Sequence, residues 1–424
     1  MAGMNAGLIR LPVILACCAA TLSAAASWPE WRGPGGDGVV GKGPFPLSWS
    51  AEKNVGWKAS LPAPGNSSPV VCEDHVFVTC ANIDGSERSL LAFDRATGKS
   101  LWNRAVPFAD KDPTHATNPW CAPSPATDGR RVFVWNGSAG ATAYDFAGQQ
   151  LWHRDLGQFV HQWGHASSPR VYGDTVIVFG SPGPRVLLTA LHRKTGATVW
   201  ERTLAEVASP PQELHGSFAT PLLWRNGSRT ELLLPLPGML ASFNPDTGEE
   251  LWRCEGLGAL TYSDALVGPG VVLAFSGFRG PAIGMRAPKP GETGNLTASH
   301  RLWKNDTVIQ RVGSGVIVGQ RFYVSGRRGE LQCGDIRTGE IFWTHHLREQ
   351  AWGSISRAGD ILYLTDQASR THVFEPAEAY RAIGTNVLGA GERTNSTIAF
   401  ADGQLFLRTF ENLYAIGRPA ESAD

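Results

Sequence analysis

The sequence has no excess of charge of either sign. Its 424 residues contain 38 Lys and Arg against 38 Asp and Glu, and the isoelectric point is about 7.2. Binding to a polyanion depends on clustered positive charge, so this balance argues against such a partner. We therefore expect no nucleic acid among its partners.

Beyond residue 26 the sequence has no apolar run of the roughly 20 residues that crossing a membrane requires. Residues 1–26 are a predicted signal peptide: Arg10 supplies a positive charge, a short apolar run follows, and Ala24 to Ala26 form a small-residue cleavage site. We expect export to the periplasm or the exterior, without a transmembrane segment. A loose lipobox ending at Cys17 leaves a second hypothesis, a lipid-anchored envelope protein.

The sequence also lacks cysteine spacings typical of zinc or redox motifs. Loss of the leader leaves Cys72, Cys80, Cys121, Cys254 and Cys333. Cys72 and Cys80 lie on adjoining predicted strands but out of register, too far apart for a disulfide. Of the possible pairs Cys80 with Cys121 is the more plausible, but we favour buried free thiols over a disulfide.

A glycine-rich stretch after the leader has no strand before it and no helix after it. Residues 27–46 contain Gly33, Gly35, Gly36 and Gly38 but no periodic pattern. A dinucleotide-binding loop needs a strand and a helix around its glycines, so that interpretation is rejected. We predict an extended arm rich in Gly and Pro.

A repeated phrase, by contrast, runs through the rest of the chain. It reads AFDRATGKSLW at Ala92–Trp102, and near-copies occupy Ala143–Trp152, Ala190–Trp200, Ser242–Trp252 and Cys333–Trp343. Alternating apolar and polar residues predict two short strands, and the glycine of each copy supplies the positive φ that a hairpin loop needs. The chain is therefore an array of repeats.

Two landmarks divide the array into units of about 40 to 50 residues, the period of a propeller blade. The first is a strand that carries Trp57, Trp102, Trp152, Trp200, Trp252, Trp303 or Trp343. The second is an earlier strand that opens with a small residue: Ser68, Ser124, Ser168, Thr220, Ser263, Ser314, Gly353 or Thr397. Such four-stranded sheets bury their faces only by stacking around an axis, with the Trp side chains between them. The predicted fold is an all-β, eight-bladed β-propeller of four-stranded antiparallel blades.

The two ends of the array predict how the ring closes. The last unit ends at Asn412–Ile416 without an outer strand, whereas Asn54–Leu61 is a Trp-bearing strand without a blade. We expect the N-terminal strand to complete the last blade, which hides both edges. The propeller then spans 47–419, followed by a flexible tail at 420–424, and the protein is expected to be a monomer.

Two units depart from the pattern. The seventh has neither a Trp nor a glycine turn at Glu375–Ile383, where its outer strand is expected. The fifth contains an insertion rich in Pro and Gly, Arg286–Ser299.

The phrase A-x-D-x-x-T-G-x-x-x-W resembles the quinoprotein-type repeat of eight-bladed propellers. That family includes the pyrroloquinoline-quinone (PQQ) alcohol dehydrogenases and the BamB-like outer-membrane assembly proteins. The resemblance covers nearly the whole mature chain and is specific for the fold, but not for activity. For the dehydrogenases it implies PQQ held above the axis, with Ca²⁺, an adjacent-cysteine disulfide, an Asp base and a Trp under the ring.

The sequence departs from that dehydrogenase pattern. The only adjacent cysteines, Cys17 and Cys18, lie in the leader, and Asp264 is the exception among inner strands that otherwise begin without an acidic residue. We therefore expect no cofactor, no metal and no catalytic residue. PQQ with Ca²⁺ remains the cofactor of the alternative, enzymatic hypothesis.

The inner strands converge on the axis, so their first residues and the preceding loops should surround one opening, here called the mouth. This set is polar and aromatic and suits a sugar, a peptide or a quinone-like ring: Asn66, Trp120, Cys121, His161, Trp163, His165, His215, Tyr262, Asp264, Arg311, Gln350, Trp352 and Asn395. Crowding of eight strands explains the small residues without any ligand. His161, His165 and His215 would suffice for zinc, but nothing in the sequence fixes their distances, so we favour histidines that each satisfy a structural hydrogen bond.

Three functions follow. The first is an exported non-catalytic propeller that acts as a binding scaffold in the cell envelope for a protein or an extracellular polymer. The second is a PQQ-dependent oxidoreductase acting on alcohols or sugars. The third is a periplasmic module, or a hydrolase, that takes a carbohydrate or a peptide in the His and Trp mouth.

Overall fold

A computed structural model describes residues 27–110, 112–277, 280–308 and 312–418. The predicted signal peptide and the tail at 420–424 lie outside this part of the chain. The described residues form eight consecutive blades, numbered one to eight, each with four antiparallel strands, and a ninth, two-stranded parallel sheet that pairs Gly216–Ser217 with Leu260–Thr261. The predicted all-β, eight-bladed propeller is confirmed.

The first strand of each blade lies at the axis, and first strands contact each other between blades one and two, two and three, five and six, and eight and one. From the axis outward, blades one to four contain Val70–Cys72, His75–Ala81, Glu87–Asp94 and Ser100–Pro107; Ala126–Thr127, Arg131–Trp135, Ala141–Asp145 and Gln150–Arg154; Arg170–Tyr172, Thr175–Gly180, Leu187–His192 and Thr198–Thr203; Leu222–Asn226, Arg229–Leu236, Met239–Phe243 and Glu250–Glu255.

Blades five to eight follow in the same order. They contain Leu266–Gly268, Val271–Phe275, Ala282–Arg286 and Arg301–Asn305; Val316–Val318, Arg321–Ser325, Glu330–Asp335 and Ile341–His346; Ser356–Ala358, Ile361–Thr365, Arg370–Glu375 and Arg381–Val387; Ala399–Ala401, Gln404–Arg408, Asn412–Ile416 and Val55–Ser60. The described helices are single turns: Gly137–Ala139, Ala205–Val207 and Thr297–His300. In the described part of the chain no helix is long and apolar enough to cross a membrane.

The ring is closed by a strand from the opposite end of the chain. Val55–Ser60 pairs antiparallel with Asn412–Ile416, and Trp57 lies opposite Ala415. The N-terminal strand therefore completes blade eight, as predicted. This exchange pairs a strand edge that an open array would leave exposed.

The repeated phrase forms the hairpin between the third and fourth strands. In blade one, Asp94 Oδ1 accepts the Thr97 N–H at 2.8 Å, and the Gly98 N–H donates to the Asp94 carbonyl at 2.8 Å. Gly98 has a φ of 71°, a backbone conformation that is unfavourable for any residue with a side chain. Asp, Thr and Gly recur at this spacing because each satisfies one requirement of the same turn.

The hydrophobic core lies between blades rather than inside one of them. One cluster joins Ile177 and Phe179 of blade three to Leu232 and Leu234 of blade four, and all four side chains are fully buried. A flat sheet can bury its apolar faces only against a neighbouring sheet, so each blade is stabilised by its contacts with the two adjacent blades.

Two irregular regions differ from the sequence prediction. The outer strand of blade seven is Arg381–Val387, which begins within the predicted segment Glu375–Ile383 and continues past it. Residues Gly294–Asn295 of the predicted insertion join the edge of blade four, parallel to its outer strand. Without a Trp or a glycine turn, the sequence of blade seven contained no marker for the register of its outer strand.

The glycine-rich arm packs across the end of the axis away from the mouth. Trp28 is fully buried, forms a bridge with Val71 of blade one and contacts Phe400 of blade eight. Val39–Val40 adds a parallel strand to the inner edge of blade seven. The arm thus links blades seven, eight and one, which are neighbours where the ring closes.

Candidate functional site at the axial mouth

A closed ring of eight hydrogen bonds encircles the axis. One residue of each blade accepts the backbone N–H of the preceding member through its side-chain oxygen, at 2.8 to 3.0 Å. In order, the members are Ser68, Ser124, Ser168, Thr220, Asp264, Ser314, Ser354 and Thr397. The hydroxyls therefore have a structural role that crowding alone does not explain, because each one satisfies a buried backbone donor.

The predicted register is wrong by one residue in two blades. Comparison of the repeats within the sequence predicted Ser263 and Gly353 at the equivalent positions, whereas Asp264 and Ser354 occupy them in the structure. A shift of one residue matters because neighbouring residues of a strand point to opposite faces.

The residue two positions before each ring member forms a second tier closer to the mouth. These residues are Asn66, Ala122, Ala166, Phe218, Tyr262, Val312, Trp352 and Asn395, and all of them line one cavity on the axis. Residues i and i−2 of an extended chain share a face, so both tiers point to the axis. The cavity has a volume of about 350 Å³.

Two segments outside the inner strands complete the cavity. Trp31 of the arm lines it, together with His115, Thr117 and Asn118 from the connection between blades one and two. Because the arm packs across the opposite end of the axis, we assign Trp31 to the floor of the cavity and the connecting segment to its rim.

One wall of the cavity is aromatic. The rings of Phe218 and Tyr262 stack with centroids 5.2 Å apart at 18°, and the Trp163 ring lies 6.4 Å from each of them. Trp163 comes from the loop before blade three, and His161 of the same loop packs edge-on against Trp163 and Phe218. Such a wall offers a flat apolar surface to a ring or a planar group.

The facing wall is a chain of side-chain amides. Gln350 donates to Gln367 at 2.8 Å, Gln367 to Asn395 at 2.7 Å, and Asn395 to Asn66 at 3.0 Å. Asn66 donates to Asn118 at 3.3 Å, and Asn118 donates to the Trp163 carbonyl at 2.7 Å. This amide chain fixes the orientation of each member, so the wall presents uncharged donors and acceptors in set positions.

Buried charges hold the arm below the cavity. Arg170 donates to the Trp31 carbonyl at 2.9 Å and contacts Glu30 Oε1 at 3.0 Å, while Arg32 donates to the Gly315 carbonyl at 2.7 Å. Burial raises the pKa of Asp264 to about 6, although Arg32 and Arg170 oppose that shift. These contacts explain why Trp31 keeps its place at the floor.

Five of the residues predicted for the mouth line the cavity: Asn66, Trp163, Tyr262, Trp352 and Asn395. Gln350 belongs to the amide chain beside it, and Asp264 is a fully buried member of the ring. Arg311 lies outside the described residues.

The other predicted residues do not line the cavity. Trp120 donates to the Asp112 carbonyl at 3.1 Å and packs over Arg88 of blade one. His161 is buried, and its Nε2 lies 3.0 Å from the Glu213 carbonyl. His215 and Cys121 also lie away from the cavity lining.

His165 is a partly buried structural side chain. Its Nδ1 lies 3.1 Å from the Ser181 carbonyl, and its ring packs edge-on against Trp135. Burial lowers the pKa of His165 to about 4, so the imidazole is neutral near pH 7. The described residues contain no cluster of three or more His, Cys, Asp or Glu side chains suited to a metal.

Sequence reasoning missed Trp31, His115, Thr117, Asn118 and Phe218. Phe218 follows from the two-residue spacing to Thr220, once Thr220 is recognised as a ring member. No sequence pattern indicates Trp31 or the segment that contains His115, Thr117 and Asn118, because the positions of these residues depend on contacts with segments that are distant in the sequence.

Comparison with known proteins supports one family assignment. The family model of the outer membrane protein assembly factor BamB matches residues 47–113, 87–266 and 238–416. The chain belongs to this family. No curated protein sequence gives a significant match.

Solved structures similar to this BamB-family chain include BamB from Moraxella catarrhalis, at 15% identity and a TM-score of 0.59, covering 86% of this chain and 97% of that one. A europium-containing methanol dehydrogenase is 12% identical with a TM-score of 0.65, covering 92% and 98%. The quinohemoprotein alcohol dehydrogenase from Comamonas testosteroni is 13% identical with a TM-score of 0.61, covering 94% and 82%. At these identities the likeness shows the fold alone.

The described lining does not fit the cofactor that the dehydrogenase resemblance implies. Ca²⁺ binds preferentially to carboxylate oxygens, and PQQ is itself a carboxylic acid that needs cationic partners. Among the described residues that line the cavity there is no Asp, Glu, Lys or Arg side chain. Asp264, the exceptional acidic residue, is 1% exposed and serves the hydrogen-bonded ring instead.

Proposed function

We propose that this protein is an exported, non-catalytic scaffold of the cell envelope whose mouth binds an uncharged segment of a polypeptide partner. The observation that carries this proposal is the chemistry of the cavity. Most polar side chains that line the cavity are amides and hydroxyls. Among the described lining residues, only His115 and Tyr262 have titratable side chains.

This lining suits binding better than catalysis. Acid and base catalysis needs a positioned titratable group, and nucleophilic catalysis needs an activated one. The amide chain offers donors and acceptors to a peptide backbone, and the wall of Trp163, Phe218 and Tyr262 offers surface to an apolar side chain. Membership of the BamB family supports a scaffold that acts on other proteins.

Export rests on the predicted leader. Mass spectrometry of protein recovered from the envelope of the expressing cell should give an N-terminus at or near Ser27. A mass showing a lipidated Cys17 would support the anchored form, and an intact Met1 would contradict export.

Binding at the mouth can be tested with a photo-reactive residue. A benzoylphenylalanine at Thr117, on the rim, should crosslink a specific envelope polypeptide, whereas the same residue at Val199 on the outer strand of blade three should not. Ala166→Trp should abolish the crosslink at Thr117, because the indole fills the cavity. Equal crosslinking from both positions, or crosslinking that survives Ala166→Trp, would contradict the proposal.

The aromatic wall favours one second candidate, a neutral oligosaccharide. The stacked Phe218 and Tyr262 rings are suited to the apolar face of a sugar, and neighbouring amides suit its hydroxyls. Calorimetric titration with neutral and acidic oligosaccharides tests this. Binding restricted to neutral sugars and lost in Tyr262→Ala would support it, and absence of binding would exclude it.

A further inference from the structure

We propose that Cys80 and Cys121 form a redox-active dithiol, in which Cys80 is held as a thiolate beside the buried Arg408 and exchanges with disulfides. This site lies on the second strand of blade one and on the loop that leads into blade two. It is independent of ligand binding at the mouth.

The two cysteines share one buried site, because Arg408 lies 3.9 Å from Cys121 Sγ and donates to the Ala63 carbonyl, which lies 3.5 Å from Cys80 Sγ. The Cys121 thiol hydrogen-bonds to Cys80, and each residue is 1% exposed. The backbone of Cys121 is held against the strand that carries Cys80, because its carbonyl accepts from the Ser67 N–H at 3.1 Å and from Thr79 Oγ1 at 3.3 Å. These contacts keep Cys121 beside the strand that carries Cys80.

The Arg408 guanidinium places a buried positive charge beside the two cysteines. Its side chain is fully buried, and its described partners are Ser67 Oγ, the carbonyls of Thr79 and Ala63, and Cys121 Sγ at 3.9 Å. None of these partners is a carboxylate. A buried guanidinium without a counterion is costly, so a thiolate at this position stabilises the protein.

Gly65 makes this close approach feasible. A Cβ at residue 65 would overlap both the Arg408 guanidinium and Cys121 Sγ. The glycine therefore leaves space for the cation and the thiol to share one pocket.

The other buried cysteines provide an internal comparison. Burial raises the pKa of Cys72, Cys254 and Cys333 to about 11. The pKa of Cys80 is instead lowered, first by the hydrogen bond from Cys121 and also by the charge of Arg408, which together outweigh burial. Thiolate character in this chain thus follows the local partners rather than exposure.

A second cavity gives access to Cys80. It has a volume of about 460 Å³ and is lined by Cys80, Ala63, Asn82, Asp84 and Glu87 among other residues. Two acidic residues at this cavity favour a cationic reagent over an anionic one. A small disulfide such as cystamine is therefore suited to reach Cys80.

The reaction is thiol–disulfide exchange. The Cys80 thiolate attacks one sulfur of the small disulfide, whose S–S bond breaks and releases a thiolate that takes a proton from water. Cys121 then loses its proton to solvent and attacks the Cys80 sulfur of the mixed disulfide, releasing the second thiol. Two electrons pass to the small disulfide, and a Cys80–Cys121 bond forms.

The oxidised form should be easily reduced. Formation of the disulfide removes the negative charge of the Cys80 thiolate. The attraction between that thiolate and the Arg408 guanidinium therefore stabilises only the reduced form. This behaviour distinguishes the pair from a purely structural disulfide.

The first test measures thiolate formation. Reduced protein is reacted with the neutral reagent 4,4′-dithiodipyridine over a range of pH. Cys80 should react rapidly, with a midpoint at least about one pH unit below the usual value near 8.5 of a free thiol, and attack by Cys121 on the mixed disulfide should then release a second equivalent of 4-thiopyridone. Cys80→Ser should lose this phase, whereas Cys333→Ser, the matched buried control, should retain it.

The second test identifies the partner and the role of Arg408. Treatment with cystamine followed by mass spectrometry should show a Cys80–Cys121 bond, a loss of two hydrogens, and full reversal by glutathione. Cys121→Ser should instead keep cystamine attached to Cys80, and Arg408→Gln, if folded by circular dichroism, should raise the midpoint. A midpoint at or above that of a free thiol, no fast phase in the native protein, or a bond to another cysteine would overturn the proposal.

Discussion

The indole ring of Trp57 packs directly on Gly98, joining the last blade to the first. Its Nε1–H donates to the Arg95 carbonyl at 2.7 Å, and a Cβ added at Gly98 would lie 2.6 Å from the ring. The same docking of Trp on the glycine turn of the next blade recurs at Gly148, Gly196, Gly248 and Gly339. The phrase that repeats in the sequence is therefore both a hairpin turn and an interface between blades.

Trp252 shows what happens where the next blade lacks that turn. The third and fourth strands of blade five are separated by the inserted segment, and Trp252 instead donates to Glu231 Oε2 at 2.6 Å. Glu231 is fully buried and is also bonded by Ser242 and Arg229. A local polar network replaces the contact with the next blade.

We expect Gly98→Ala to destabilise the protein by more than its backbone conformation alone explains. The positive φ costs about 1 to 2 kcal/mol, and the new methyl group must also displace Trp57. Gly129→Ala is the control, because its φ is 83° and a Cβ there meets nothing within 4 Å. Chemical denaturation should show the larger loss for Gly98→Ala, and equal losses would contradict the contact.

The hydrogen-bonded ring predicts a difference between two substitutions at Ser124. Ser124→Ala leaves the buried Ser68 N–H without an acceptor, which should cost about 1 to 3 kcal/mol. Ser124→Thr keeps a hydroxyl, and Thr220 and Thr397 already fill equivalent positions in other blades. The free energy of unfolding should therefore fall much less in this variant. Equal free energies of unfolding for the two variants would show that the ring does not contribute to stability.

Asp264 predicts a pH dependence of stability. Its pKa rises from 3.8 to about 6 on folding, so the folded state holds the proton more tightly. The resulting stabilisation is complete below about pH 4 and is lost as the pH rises through 6. Relative to Asp264→Asn, the wild type should lose about 2 to 3 kcal/mol between pH 4 and pH 7, because the amide does not titrate.

Denaturation curves at several pH values check this expectation. In the Asp264→Asn variant the amide oxygen can still accept the Thr220 N–H, which bonds Asp264 Oδ1 at 2.9 Å in the wild type, so the ring stays closed. Parallel curves for the wild type and the variant would show that Asp264 has an ordinary pKa.

We expect no quinone-dependent dehydrogenase activity. Purified protein incubated with PQQ and Ca²⁺ should show no new absorbance and no dye reduction with alcohols or sugars, because the described lining contains no carboxylate for Ca²⁺ and no guanidinium for PQQ. A PQQ alcohol dehydrogenase assayed in parallel is the control. Stoichiometric binding followed by turnover would restore the enzymatic hypothesis.

Part of the site could be derived from the sequence and part could not. Asn66, Tyr262, Trp352 and Asn395 were found because each precedes an inner strand, yet His165 was chosen where Ala166 lines the cavity. The inner strands are short, so their residues give little periodicity from which to set the register. An error of one residue exchanges the axial face for the opposite one.

The amino-acid sequence alone determined the architecture, the number of blades and the way the ring closes. It did so because the Asp, Thr and Gly of each turn and the Trp that follows interact within a few residues or with the next repeat. Tertiary structure decided the site. Trp31 at the floor, the amide chain around the wall and the contact of Cys80 with Cys121 and Arg408 join segments far apart in the chain, and only closure of the ring brings them together.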